Sequence, residues 1–174
     1  MITTSATDMM KRYGTTLVEL AIVIGIMAIV TLPVATLLTE GSRTNLVALQ
    51  TSRDQAAARA ILDEVVRMAR RATMPPDVVA NSGHLSLTVP VVDRTNGQVT
   101  GSTTYDYLYS SGAGLFYKTV GSGVQTVFPD GLEKGRITVV SFSIASNVLT
   151  ATVTAGGGVA PQTTLTTQVI LPNK

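Results

Sequence analysis

The 174-residue chain is 45% hydrophobic and only 14% charged, with a formal net charge of +2 and a mean hydropathy of +0.32. Soluble domains carry about a quarter charged residues, so a chain this apolar is not a disordered one, and the lack of any long basic block argues against a nucleic-acid tail. With no cysteine, and with His84 as its single histidine, it holds no disulfide framework, zinc finger or His/Cys metal cluster.

The hydrophobicity is concentrated near the amino end. From Leu20 to Thr39 there is no charged residue. As a helix, at about 1.5 Å per residue, this stretch spans roughly 30 Å, the thickness of a bilayer core. A soluble helix apolar on every face for this length is rare. A secretory signal peptide is the nearest rival, but its apolar region is shorter and ends at a small-residue cleavage site, for which Ala35-Thr36-Leu37 is a poor candidate. Lys11 and Arg12 precede the run, so the positive-inside rule keeps the amino end cytoplasmic and exports the chain from about Glu40 onward. Pro33 loosens or bends the helix rather than ending it, and Gly41 marks a kink or local break. Glu19 is the anomaly, because a carboxylate inside an apolar segment costs several kcal/mol unless it snorkels, is neutralised or is paired. After Arg12 no basic residue follows until Arg43.

Lys11-Arg12-Tyr13-Gly14, followed by Thr15-Thr16-Leu17-Val18-Glu19-Leu20 and AIVIGIMAIV, resembles the class III signal of type IV pilins and type II secretion pseudopilins. The match covers about residues 9–40. The resemblance implies cleavage after Gly14 by a prepilin peptidase and a mature chain that begins at Thr15, N-methylated in this family. It departs from the family in having Thr15 where a large apolar residue is usual, and in the placement of Pro33. It also implies partners: other pilin or pseudopilin subunits, a cytoplasmic assembly ATPase and a polytopic inner-membrane platform. The location implied is the bacterial inner membrane, single-pass, and then a periplasmic or extracellular filament. Cleavage would create an α-amino group that Glu19 of a staggered neighbour can reach, which makes Glu19 the expected assembly residue. Small side chains at Ala21, Gly25, Ala28 and Ala35 permit close helix approach.

Beyond Glu40-Gly41-Ser42, charges alternate through Arg43, Arg53, Asp54, Arg59, Asp63, Glu64, Arg67, Arg70 and Arg71. An apolar line at Leu46, Leu49, Ala56, Ala60, Val65 and Met68 keeps close to helical spacing. Pro75-Pro76 end the pattern. The expected organisation is a leader over 1–14, a membrane or filament-core helix over 15–40, an amphipathic half over 41–74 and a sheet domain over 75–174.

From His84 the period becomes two. Strand-like runs are Leu85–Val91, Tyr105–Tyr109, Gly114–Val120, Val124–Phe128, Arg136–Ile144, Val148–Thr154 and Leu165–Leu171. Turn signals separate them, among them Asp93–Gly97, Gly121–Gly123 and Ser146-Asn147. The expectation is one antiparallel sheet packed on the amphipathic helix, an α+β arrangement. The order of these runs, with GLFYKTV, ITVVSFSI and a closing QVILPNK, is also similar to minor pseudopilins of the class lettered J.

Catalytic signals are sparse. His84 beside Gly83 reads as a surface residue, Ser82 and Ser86 lack a nucleophile-elbow pattern, and no phosphate-cradling loop occurs. Asp93 and Asn96 fit either a calcium loop or an ordinary turn. The sequence therefore points to a non-enzymatic structural subunit without a cofactor, of a pilus or of a secretion pseudopilus. A cysteine-free major pilin and a membrane-tethered binding domain remain the alternatives.

Overall fold

The computed structural model describes residues 16–72, 83–158 and 160–172. The chain divides into two compact units, one ending at Asn45 and one starting at Leu46. A single helix among the described residues, α1 (Leu17–Ala69), contributes to both.

In the first unit every described side chain is exposed, including Leu17, Ile24, Met27, Ile29 and Leu37. α1 runs through both Pro33 and Gly41, so the local break allowed for at Gly41 does not occur. Proline has no N–H to offer the carbonyl one turn earlier. The threonines around it turn their hydroxyls onto the backbone: Thr31 Oγ1 donates to Met27 O at 2.6 Å and Thr36 Oγ1 to Pro33 O at 2.8 Å. Such internal bonds let a polar side chain sit in an apolar environment without an orphaned donor.

In the second unit α1 buries Ala58, Ile61, Leu62, Val65, Met68 and Ala69, spaced by one helical turn. The expected apolar line is corrected at its start. Leu46 and Leu49 are 60% and 58% exposed because the covered face begins only at Asp54, and Ala56 is exposed because it lies on the side of the helix opposite Asp54 and Ala58. The helix closes on tightening bonds, Arg71 N to Met68 O at 3.0 Å and Ala72 N to Ala69 O at 3.2 Å. The predicted stop at Pro75-Pro76 lies outside the described residues.

The strands form two antiparallel sheets where the sequence suggested one. The first holds β1 (His84–Val92), β2 (Val99–Ser110), β3 (Leu115–Val120) and β4 (Thr126–Val127), in that order. The second holds β5 (Ile137–Ala145), β6 (Val148–Ala155) and β7 (Thr163–Ile170). Period-two burial selects Leu85, Leu87 and Val89 on β1 and Leu149, Ala151, Val153 and Ala155 on β6. Ser146 and Asn147, with φ of 49° and 66°, make the tight turn whose twist matches the β5–β6 hairpin. The expected strand over Val124–Phe128 shrinks to two residues, although Phe128 N still donates to Phe116 O at 2.8 Å; Val124 at the other end is exposed.

β1 approaches β5 without a ladder. Side-chain and turn contacts join the sheets instead. The Tyr109 hydroxyl lies within hydrogen-bond reach of the carbonyls of Ile137, at 3.0 Å, and Thr138, at 2.6 Å. Gly114, at φ +62°, lies so close to Gly135 that a Cβ there would sit 2.6 Å from the Gly135 Cα, and Gly135 N donates to Gly114 O at 3.3 Å. The helix face and both sheets share one core, in which Phe116 stacks on Tyr107 at 5.8 Å and meets Phe142 at 6.4 Å.

Candidate functional site

Lys11, Arg12, Gly14 and Thr15, the expected leader and processing residues, lie outside the described residues. Glu19 is described, and its carboxylate has a partner in its own chain. Thr16 N–H donates to Glu19 Oε2 at 2.9 Å, Thr16 Oγ1 approaches the same oxygen at 3.3 Å, and Glu19 N–H donates to Thr16 Oγ1 at 3.2 Å. This is a capping box, in which two orphan N–H groups at the start of a helix are satisfied reciprocally. A negative side chain in the first turn also meets the positive end of the helix dipole. Sequence reasoning sought a cation for Glu19 and passed over a neutral partner; the Thr-x-x-Glu spacing ahead of an apolar run was the available signal. Thr16–Glu19 thus fixes where α1 begins, at the head of a helix whose next residues expose apolar side chains on all sides. Among the described residues α1 is the one helix long and apolar enough to cross a membrane. Pro33 and Gly41 lie within it, both exposed.

A second carboxylate, Glu64, stands on the buried face of α1, one turn after Ile61 and one turn before Met68. Its side chain is 4% exposed. Lys118 Nζ of β3 reaches Oε1 at 2.5 Å, Arg67 pairs with Oε2, and Tyr107 Oη of β2 donates to Oε1 at 3.4 Å. Burial alone would raise the Glu64 pKa, but the bonds from Lys118 and Arg67 outweigh it and hold the carboxyl below its ordinary value. Burial, and the Glu64 charge beside it, push the Tyr107 phenol far up. The Lys118 ammonium also lies 5.5 Å from the Tyr105 ring and 5.6 Å from the Phe128 ring. A carboxylate so firmly ionised, and a phenol so firmly neutral, are poor proton carriers near neutrality; the cluster fastens α1 to the first sheet. Arg67, Arg70 and Arg71 are all exposed, as expected of a solvated face, and Arg67 also pairs with Glu64.

The remaining candidates are spread apart. His84 opens β1, with Nε2 3.7 Å from Asp106 Oδ1. Asp93 accepts from Thr95 N–H at 2.8 Å and Oγ1 at 2.6 Å, which lowers its pKa, and Asn96 Oδ1 accepts from Gln98 N–H at 2.9 Å. The segment forms a turn closed on its own side chains. Among the described residues no cluster of three or more His, Asp or Glu could hold a metal ion. A scan against protein-family models matches no family, and searches of curated proteins and of solved structures return no significant match.

Proposed function

We propose that the chain is a prepilin-like structural subunit, cleaved after Gly14 and assembled through its N-terminal helix into a type IV pilus or secretion pseudopilus. The observation that carries this reading is the apolar, wholly exposed stretch of α1 from Leu20 to Thr39. A helix apolar on every face needs lipid or other helices around it, and here it follows the Lys-Arg-Tyr-Gly…Glu pattern at the spacing of that family. A minor subunit, similar to the J-lettered pseudopilins, is the form favoured by the order of the strands. Its partners are other subunits, a prepilin peptidase and an inner-membrane platform, and no catalysis is assigned to it. The N-terminal mass of protein extracted from membranes of producing cells tests the reading: a chain starting at Thr15 is expected. An intact leader overturns it.

One observation favours a second reading. The Thr16–Glu19 capping box satisfies Glu19 without a neighbouring subunit, as suffices for a single-pass anchor on a membrane-tethered binding domain. An intact leader on a chain that forms no filaments would support that alternative, whereas a Glu19→Ala chain that assembles at the normal rate would show only that Glu19 is not an assembly residue.

A further inference from the structure

The second unit contains a cavity of about 450 Å³ between α1 and the segment that leads into β5. Ala57 and Ala60 of α1 and Leu132 opposite give it apolar walls, and three carboxylates, Asp54, Asp130 and Glu133, and two guanidinium groups, Arg53 and Arg136, bring charge to it. Asp54 is only 3% exposed, and its Oδ2 accepts no hydrogen bond. The nearest cation is Arg136, whose Nη1 stands 3.7 Å from Oδ2, beyond hydrogen-bond reach. The Arg136 fork is turned elsewhere, with both Nε and Nη2 3.1 Å from Glu133 Oε2. The guanidinium thus bonds an exposed carboxylate and leaves a buried one short of a donor. Buried carboxylates left in this state are costly and rare, and this one lines a cavity of the size that small ligands occupy.

We infer that this cavity is a socket for one organic cation, a primary ammonium or guanidinium on a short aliphatic stem. The cationic head supplies the N–H donors that Asp54 lacks, and the stem lies along Ala57, Ala60 and Leu132, as methylenes of long basic side chains do on apolar surfaces. An anion is disfavoured, because three carboxylates line the cavity against two cations, Arg53 and Arg136, and Arg136 is already committed to Glu133. The head belongs either to a Lys or Arg of a second copy of this chain or to a free amine.

The test uses the full chain in detergent micelles, with ¹³C-methyl alanine, titrated with butylguanidinium and with butanol as the uncharged control. Saturable shifts at Ala57 and Ala60 are expected with butylguanidinium alone. Binding should weaken at least tenfold in Asp54→Asn, and likewise in Ala57→Leu, which fills the cavity and keeps the carboxylate; the second variant decides if the first does not fold. Equal shifts with butanol, no saturation, or full affinity in a folded Asp54→Asn or Ala57→Leu chain overturns the inference. Sedimentation of the same samples then separates the sources. Self-association that falls in both variants and on adding butylguanidinium assigns the head to a second copy; self-association unmoved by either assigns it to a free amine.

Discussion

The two halves of α1 solve opposite problems with the same backbone. From Leu20 to Thr39 the helix has apolar side chains on every side and no face of its own to bury. From Asp54 it has one buried face, and that face carries two carboxylates, Asp54 and Glu64. The contrast shows that helical periodicity is a statement about surroundings. The first half lacks a stripe because its environment would be the same all round, and the second has one because the sheets cover a single side. Charge follows the same logic. The Glu19 carboxylate, at the end of the apolar half, accepts only from the N–H and hydroxyl of one neutral threonine, whereas Glu64, inside a core, draws two cations and a phenol.

That contrast can be broken by mutation. The largest expected effect is at Glu64. Replacing it with Ala leaves Lys118 half-enclosed and unpaired, and loss of one partner from such a pair costs about 3–5 kcal/mol, to be read as a lowered denaturant midpoint of the sheet region in the full chain. The same residue sets a pH dependence. Its folded pKa lies below the ordinary value, so its contribution is present above the unfolded carboxylate pKa and is lost as pH falls through the lowered folded value. A pH series of unfolding midpoints should therefore drop on the acid side in the native chain and flatten in Glu64→Ala. Next comes the apolar half: Ile26→Lys places a charge mid-segment at a cost of about 3 kcal/mol for insertion into lipid. Membrane fractionation should show the variant partly released while its sheet domain stays folded. The smallest effect is at the helix start, where Thr16→Ala removes the cap and costs about 1 kcal/mol, visible as faster amide exchange confined to the first turn of α1.

Much of the fold was legible in the residues. The period-two runs at Leu85–Val91 and Val148–Thr154 became β1 and β6, and Ser146-Asn147 became the turn expected of it. Periodicity could not say that the strands divide between two sheets, because that depends on contacts distant in sequence, such as Tyr109 on the Ile137 and Thr138 carbonyls. The docked face of α1 was legible at Val65 and Met68 and misread at Leu46 and Leu49, where apolar side chains have no sheet opposite them. Glu64 and Asp54 looked like members of an alternating surface charge pattern. Lys118, the residue that makes Glu64 a core residue, lies 54 positions away, and no local pattern announces it.

The order of strands has a consequence for how the chain reaches its native state. In β1-β2-β3-β4 and again in β5-β6-β7 every strand pairs with its neighbour in sequence, and among the described residues no ladder waits for a later segment. Loop closure is therefore cheap for each pairing, which favours fast assembly. A chain emerging amino end first would present the α1 face before any strand, so each finished hairpin has a partner already waiting. The sheets can be laid down in the sequence of synthesis, and the time any unpaired edge stands open to a neighbouring molecule is short.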